Sequence, residues 1–101
     1  MTLMNRVEAI AKLQAHADAI KALGATSLYL FGSSARDEAR PDSDLDVFVE
    51  YDPNKKFSLM DLVGIKLFLE DELGIPVDVM TRDSLHPILR QDIEKSAVRV
   101  F

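Results

Sequence analysis

Residues 26–51 read TSLYLFGSSARDEARPDSDLDVFVEY. Residues 26–31 are uncharged and rich in β-branched, aromatic and aliphatic side chains, the composition of a buried strand, and Gly32-Ser33-Ser34 turns the chain at its end. Residues 34–39 can form a short helix, Pro41-Asp42-Ser43 makes a second turn, and residues 45–51 return as a β-rich run. The unit is strand, turn and helix, strand.

The chemistry sits at the two turns. Side chains alternate across a strand, so Asp44 and Asp46 point to one side while Leu45 and Val47 face the other. Two converging carboxylates repel unless they are solvated, protonated or bridged by a cation, and such an oxygen-rich pair suits magnesium, which also takes substrate phosphates as ligands. Gly32 can adopt backbone angles closed to other residues and lets a phosphate approach the main chain, and Ser33 offers a hydroxyl at a helix start. Arg36, three residues on, returns to the same helical face, where it would pair with phosphate or with an aspartate; a structural salt bridge to Asp37, Glu38 or Asp42 is the equal alternative. Asp78, between Val77 and Val79, is an acid within an apolar strand pattern. If its strand neighbours residues 45–49, it joins the pair as a third ligand or acts as general base; otherwise it is a surface acid of an edge strand.

Around this centre, apolar residues recur at helical spacing from Leu3 through Val7, Ile10, Leu13, Ala17 and Ile20 to a stop at Gly24, which predicts one helix over residues 3–23. A second helix is expected over 58–73, ended by Gly74 and Pro76, then a short strand over 77–80. Pro87 fits a first helical turn, so a last helix runs to about residue 97, with 98–101 as an extended tail. Alternating helices and strands in this order give an α/β fold, a single mixed β-sheet flanked by helices. The helix over 58–73 carries an apolar surface wider than one stripe, from Leu59 and Met60 to Leu69, so something covers its second side: the sheet, a second copy or a partner helix. Met60 and Met80 read as core filler, Tyr29 and Tyr51 as packing residues, and His16 and His86 as structural or solvent-facing.

With 101 residues, 48% hydrophobic and 29% charged, the chain is expected to be a single globular domain over 1–101. A net charge of −5 and no basic run disfavour direct nucleic-acid binding, whereas a metal-bridged nucleotide remains compatible with acidity. No cysteine is present, which removes disulfides, thiolate zinc sites and a cysteine nucleophile and makes the cytoplasm the expected compartment; no apolar run predicts a membrane span.

Gly32-Ser33-Ser34-Ala35-Arg36 followed by Pro41-Asp42-Ser43-Asp44-Leu45-Asp46 resembles the polymerase-beta-like nucleotidyltransferase signature, Gly-Ser and then Asp-x-Asp. More narrowly, the short chain resembles the minimal nucleotidyltransferases that pair, as antitoxins, with helical HEPN ribonuclease toxins. The likeness spans Leu28 to Asp78 and extends loosely into the last helix. It implies Asp44, Asp46 and Asp78 as catalytic metal ligands for magnesium, two ions in number, with Gly32, Ser33, Arg36 and Ser43 on the nucleotide and ATP as donor. It further implies AMP transfer to a hydroxyl, a tyrosine, of the cognate HEPN toxin, within a homo- or hetero-oligomer. One departure stands out: such proteins commonly have glycine after the arginine, and here it is Asp37, whose charge would weaken triphosphate binding or face solvent. Two other functions remain open: transfer to a small molecule such as an antibiotic, which needs a partner chain to complete an acceptor pocket, and a non-catalytic antitoxin that masks its toxin.

Overall fold

The computed structural model describes residues 6–32 and 45–101. Within them the chain forms α1 (Arg6–Ala15), α2 (Ala17–Ala22), β1 (Ala25–Phe31), β2 (Leu45–Tyr51), α3 (Leu59–Leu73), β3 (Val77–Thr81), a 3-10 turn (Arg82–Ser84), α4 (Pro87–Ser96) and β4 (Val98–Arg99). The strands make one mixed sheet in the order β3-β2-β1-β4. β1 runs antiparallel to β2 and β4, and β2 runs parallel to β3.

The alternation of strand side chains gives the sheet two apolar faces. Leu28, Leu30, Leu45, Val47, Val49 and Val77 turn to the first, where Leu13 of α1, Ile20 of α2 and Ile65 and Leu69 of α3 bury against them without residual exposure. The second carries Phe31 and Phe48, closed by Leu85 with Tyr29, Met80 and, from α4, Ile93 and Ala97. Tyr29 stacks on Phe48 with ring centroids 4.8 Å apart, the packing role expected of it.

α3 has a complete set of end signals. The Ser58 hydroxyl accepts from the Asp61 amide while Asp61 Oδ2 accepts from the Ser58 amide at 2.8 Å, a reciprocal cap that satisfies two free amides of the first turn. Gly74 ends the helix at φ +70, and its amide donates to the Glu70 carbonyl at 2.9 Å. The Lys66 ammonium donates to Glu70 and to the Val77 carbonyl at 2.9 and 2.8 Å, and Glu70 accepts the Val77 amide at 3.0 Å. One ion pair thus satisfies both backbone groups of Val77 on the outer edge of the sheet.

Three expectations are corrected. The helix expected over 3–23 is interrupted at His16, whose amide closes a short turn onto the Leu13 carbonyl at 3.1 Å while its ring meets Phe68 edge-on. The contact lies on α3, far along the chain, and helical periodicity carries no trace of it; residues 1–5 lie outside the described residues. Met60 is not core filler but 83% exposed, because α3 turns Ile65, Leu69 and Leu73 to the sheet and leaves the opposite stripe in solvent. The extended tail also contributes a strand, as Val98 and Arg99 pair with Leu30 and Tyr29. The short helix expected over 34–39 lies outside the described residues.

Candidate active site

β2 and β3 start side by side. In their parallel register Asp46 is the partner of Asp78, as Leu45 is of Val77 and Phe48 of Met80. Paired residues on adjacent strands, about 4.8 Å apart, put their side chains on the same face. The two aspartates therefore extend the row that continues into Phe48 and Met80, on the sheet face packed by α4. Asp46 is half-buried and Asp78 exposed. The condition on which Asp78 would join the acid pair, adjacency of its strand to β2, is met.

On its other side Asp46 partners Phe31, and the next residue of β1 is Gly32. Gly32 has φ +70, a conformation that favours glycine, and a Cβ placed on it would stand 2.7 Å from Asp46 Oδ2 and 3.4 Å from its Cγ. Glycine is required here both for the turn and for room beside the carboxylate. Ser33, Arg36, Ser43 and Asp44, together with Asp37 and Asp42, lie outside the described residues.

Two carboxylates in register on one face offer hard oxygen donors to a cation, and they fit magnesium, which retains waters and shares its coordination with substrate phosphates. Among the described residues no group of three or more His, Cys, Asp or Glu side chains gathers as a metal site. The donor set there is the pair Asp46 and Asp78.

Sequence reasoning did not find the polar network at the other end of these strands. Arg82 donates to Glu50 at 3.0 Å and to Glu94 at 3.1 Å, and Arg90 donates to Glu94 at 2.9 Å. The guanidinium of Arg82, then that of Arg90, holds the Glu94 carboxyl below its ordinary range, and Glu94 and then Glu50 hold Arg82 in its charged form. Tyr51 donates to Asp83 at 2.5 Å, which raises the phenol pKa. These partners are separated by up to 32 residues, and no local pattern announces them. Five residues of extended strand, about 17 Å, separate Tyr51 from Asp46, so the shallow clefts beside Tyr51 are remote from the acid pair.

A model of the nucleotidyltransferase domain family matches residues 13–100. The Methanocaldococcus jannaschii protein MJ0435, provisionally named a protein adenylyltransferase, is 47% identical over 72 residues, covering 71% of this chain and 75% of that protein. The protein adenylyltransferase MntA of Thermococcus cleftensis is 30% identical over 101 residues, covering 99% of this chain and 98% of its own. Among solved structures, one described provisionally as a minimal nucleotidyltransferase superposes with TM-score 0.81 at 35% identity, covering 97% of this chain and 98% of that one. An MNT antitoxin solved with the tri-AMPylated HEPN toxin of Shewanella oneidensis shares the fold at TM-score 0.65 and 16% identity, covering 91% of this chain and 71% of the matched one.

Proposed function

The chain belongs to the nucleotidyltransferase domain family and is a nucleotidyltransferase of the protein adenylyltransferase type, and from that premise we propose that it transfers AMP from magnesium-ATP to a tyrosine hydroxyl of a cognate HEPN ribonuclease toxin and so silences it. The observation that carries this reading is the in-register pair Asp46 and Asp78, with Gly32 packed against Asp46. Relatives named as protein adenylyltransferases and a similar fold seen with an AMPylated HEPN toxin support the direction and acceptor of transfer.

In the proposed reaction the tyrosine oxygen forms a bond to the α-phosphorus, the bond from that phosphorus to the bridging oxygen breaks, and pyrophosphate leaves with the electron pair. The tyrosine proton passes to a carboxylate of the site, for which exposed Asp78 is the candidate, and from there to water. Magnesium held by Asp46 and Asp44 would supply charge neutralisation for the triphosphate and the leaving group, with Asp78 left to the proton. Gly32 gives the phosphates access to the main chain, and Ser33, Ser43 and Arg36 complete the nucleotide seat in this reading.

The test is incubation with magnesium, labelled ATP and the purified toxin, followed by peptide mapping and a ribonuclease assay. Label on a toxin tyrosine with matching loss of ribonuclease activity is the expected result. Silencing of the toxin by Asp46→Asn as effectively as by the wild type, without label, would replace catalysis by masking.

A further inference from the structure

Asp78 is the second residue of β3, an outer strand of the sheet, and the chain reaches it from α3 through Gly74, Ile75 and Pro76. The end of an outer strand opens easily, because it has a partner on one side only. The Leu45 amide donates to the Pro76 carbonyl at 3.0 Å, which fixes the alternation of the ladder. Pro76 and Asp78 turn their main-chain groups inward to β2, and Val77 turns its own to the open edge.

That edge is held by α3. Lys66 and Glu70, one turn apart, flank the stripe of Ile65, Leu69 and Leu73 that packs on the sheet. The Lys66 ammonium donates to the Val77 carbonyl at 2.8 Å and to Glu70 at 2.9 Å, while the Glu70 carboxylate accepts the Val77 amide at 3.0 Å. Their side chains are 38% and 29% exposed, and a pair so placed adds little stability. Water would satisfy the outer groups of an edge strand equally well; what the ion pair adds is a fixed position. The Val77 carbonyl lies in the same rigid plane as the amide nitrogen and Cα of Asp78, so holding that oxygen fixes the point from which the Asp78 side chain departs.

We propose that the Lys66–Glu70 pair is a positioning device for the reaction, which by gripping Val77 holds the Asp78 carboxylate in register with Asp46. There Asp78 takes the proton of the tyrosine as the tyrosine oxygen bonds to the α-phosphorus and pyrophosphate leaves. The inference rests on the reading of Asp78 as that proton acceptor. α3 packs on the sheet face opposite the two carboxylates, so Lys66 and Glu70 act through the main chain and not on the substrate.

Single-turnover transfer from magnesium and labelled ATP to the purified toxin tests this, with Glu70→Ala, Lys66→Ala and Glu70→Gln each made in the wild type and in Asp78→Asn. Circular dichroism checks the fold of each variant, and Lys66→Ala tests the second half of the clasp independently of Glu70. Both alanine variants are expected to lower the transfer rate constant about tenfold and to leave ATP affinity within about twofold of wild type, the loss that follows a displaced reacting group. Glu70→Gln, which keeps an acceptor for the Val77 amide, retains most of the rate. In Asp78→Asn the same changes have no further effect, because the group they position is gone. Amide exchange by NMR gives a readout apart from activity: Val77 is expected to exchange about tenfold faster in Glu70→Ala. Wild-type rates in both alanine variants, an equal fractional loss in the two backgrounds, or unchanged exchange at Val77 would each overturn the inference. Asp78→Asn at the wild-type rate would remove the proton-acceptor reading and the inference with it, whereas a crippled Asp78→Asn beside undiminished clasp variants would remove the inference alone.

Discussion

At the scale of single residues, Gly32 and Asp46 are one device. Gly32→Ala places a side chain at φ +70, at a cost of about 1–2 kcal/mol, and the new Cβ drives the Asp46 carboxylate from its place. Because a displacement of about 1 Å can cost roughly 10²-fold, adenylyl transfer is expected to fall by about that factor while urea denaturation shows only the modest loss. The sequence made Gly32 legible as a turn and phosphate approach, and Asp46 and Asp78 as acids awaiting adjacent strands. That Gly32 also makes room for Asp46 was hidden, because it depends on the register in which Phe31 meets Asp46.

At the scale of elements, β1, β2, β3 and α3 were readable from local pattern, since uncharged β-rich runs, a serine cap and a terminal glycine act within a few residues, whereas β4 is a strand only through its pairing with the distant β1. The break at His16, the clasp of Lys66 and Glu70 on Val77, and the Arg82 network were not, because each joins elements distant in sequence. α3 is held by burial, so Ile65→Ala, at a position with no exposure, is expected to lower stability by about 2–5 kcal/mol in chemical denaturation. The clasps give a pH dependence. Lys66, then the Val77 amide, holds the Glu70 carboxyl below its ordinary range, and Arg82, then Arg90, does the same for Glu94. As pH falls the unfolded chain takes up protons at these groups before the folded one, so their stabilisation is complete above the ordinary carboxylate range and is lost below it. The denaturation midpoint is expected to fall below about pH 4, and Glu94→Gln to flatten that fall.

At the scale of the whole molecule, the sheet divides its labours between faces. One binds the helices α1, α2 and α3 and carries the main core; the other carries the acid pair and is packed by α4. The division makes chemistry and folding separable. Removing magnesium with a chelator is therefore expected to abolish transfer while circular dichroism and the melting temperature stay close to those of the protein as prepared, and added magnesium to restore the activity.

The most direct test of the acid pair is the initial rate of pyrophosphate release from ATP in the presence of the toxin, compared among wild type, Asp46→Asn and Asp78→Asn at matched fold. Both variants are predicted to lose about 10³-fold, roughly 4 kcal/mol of transition-state stabilisation, with melting temperatures unchanged or raised by relief of the like charges. Rates within a few-fold of wild type in either variant would contradict the assignment of these two carboxylates to the reaction.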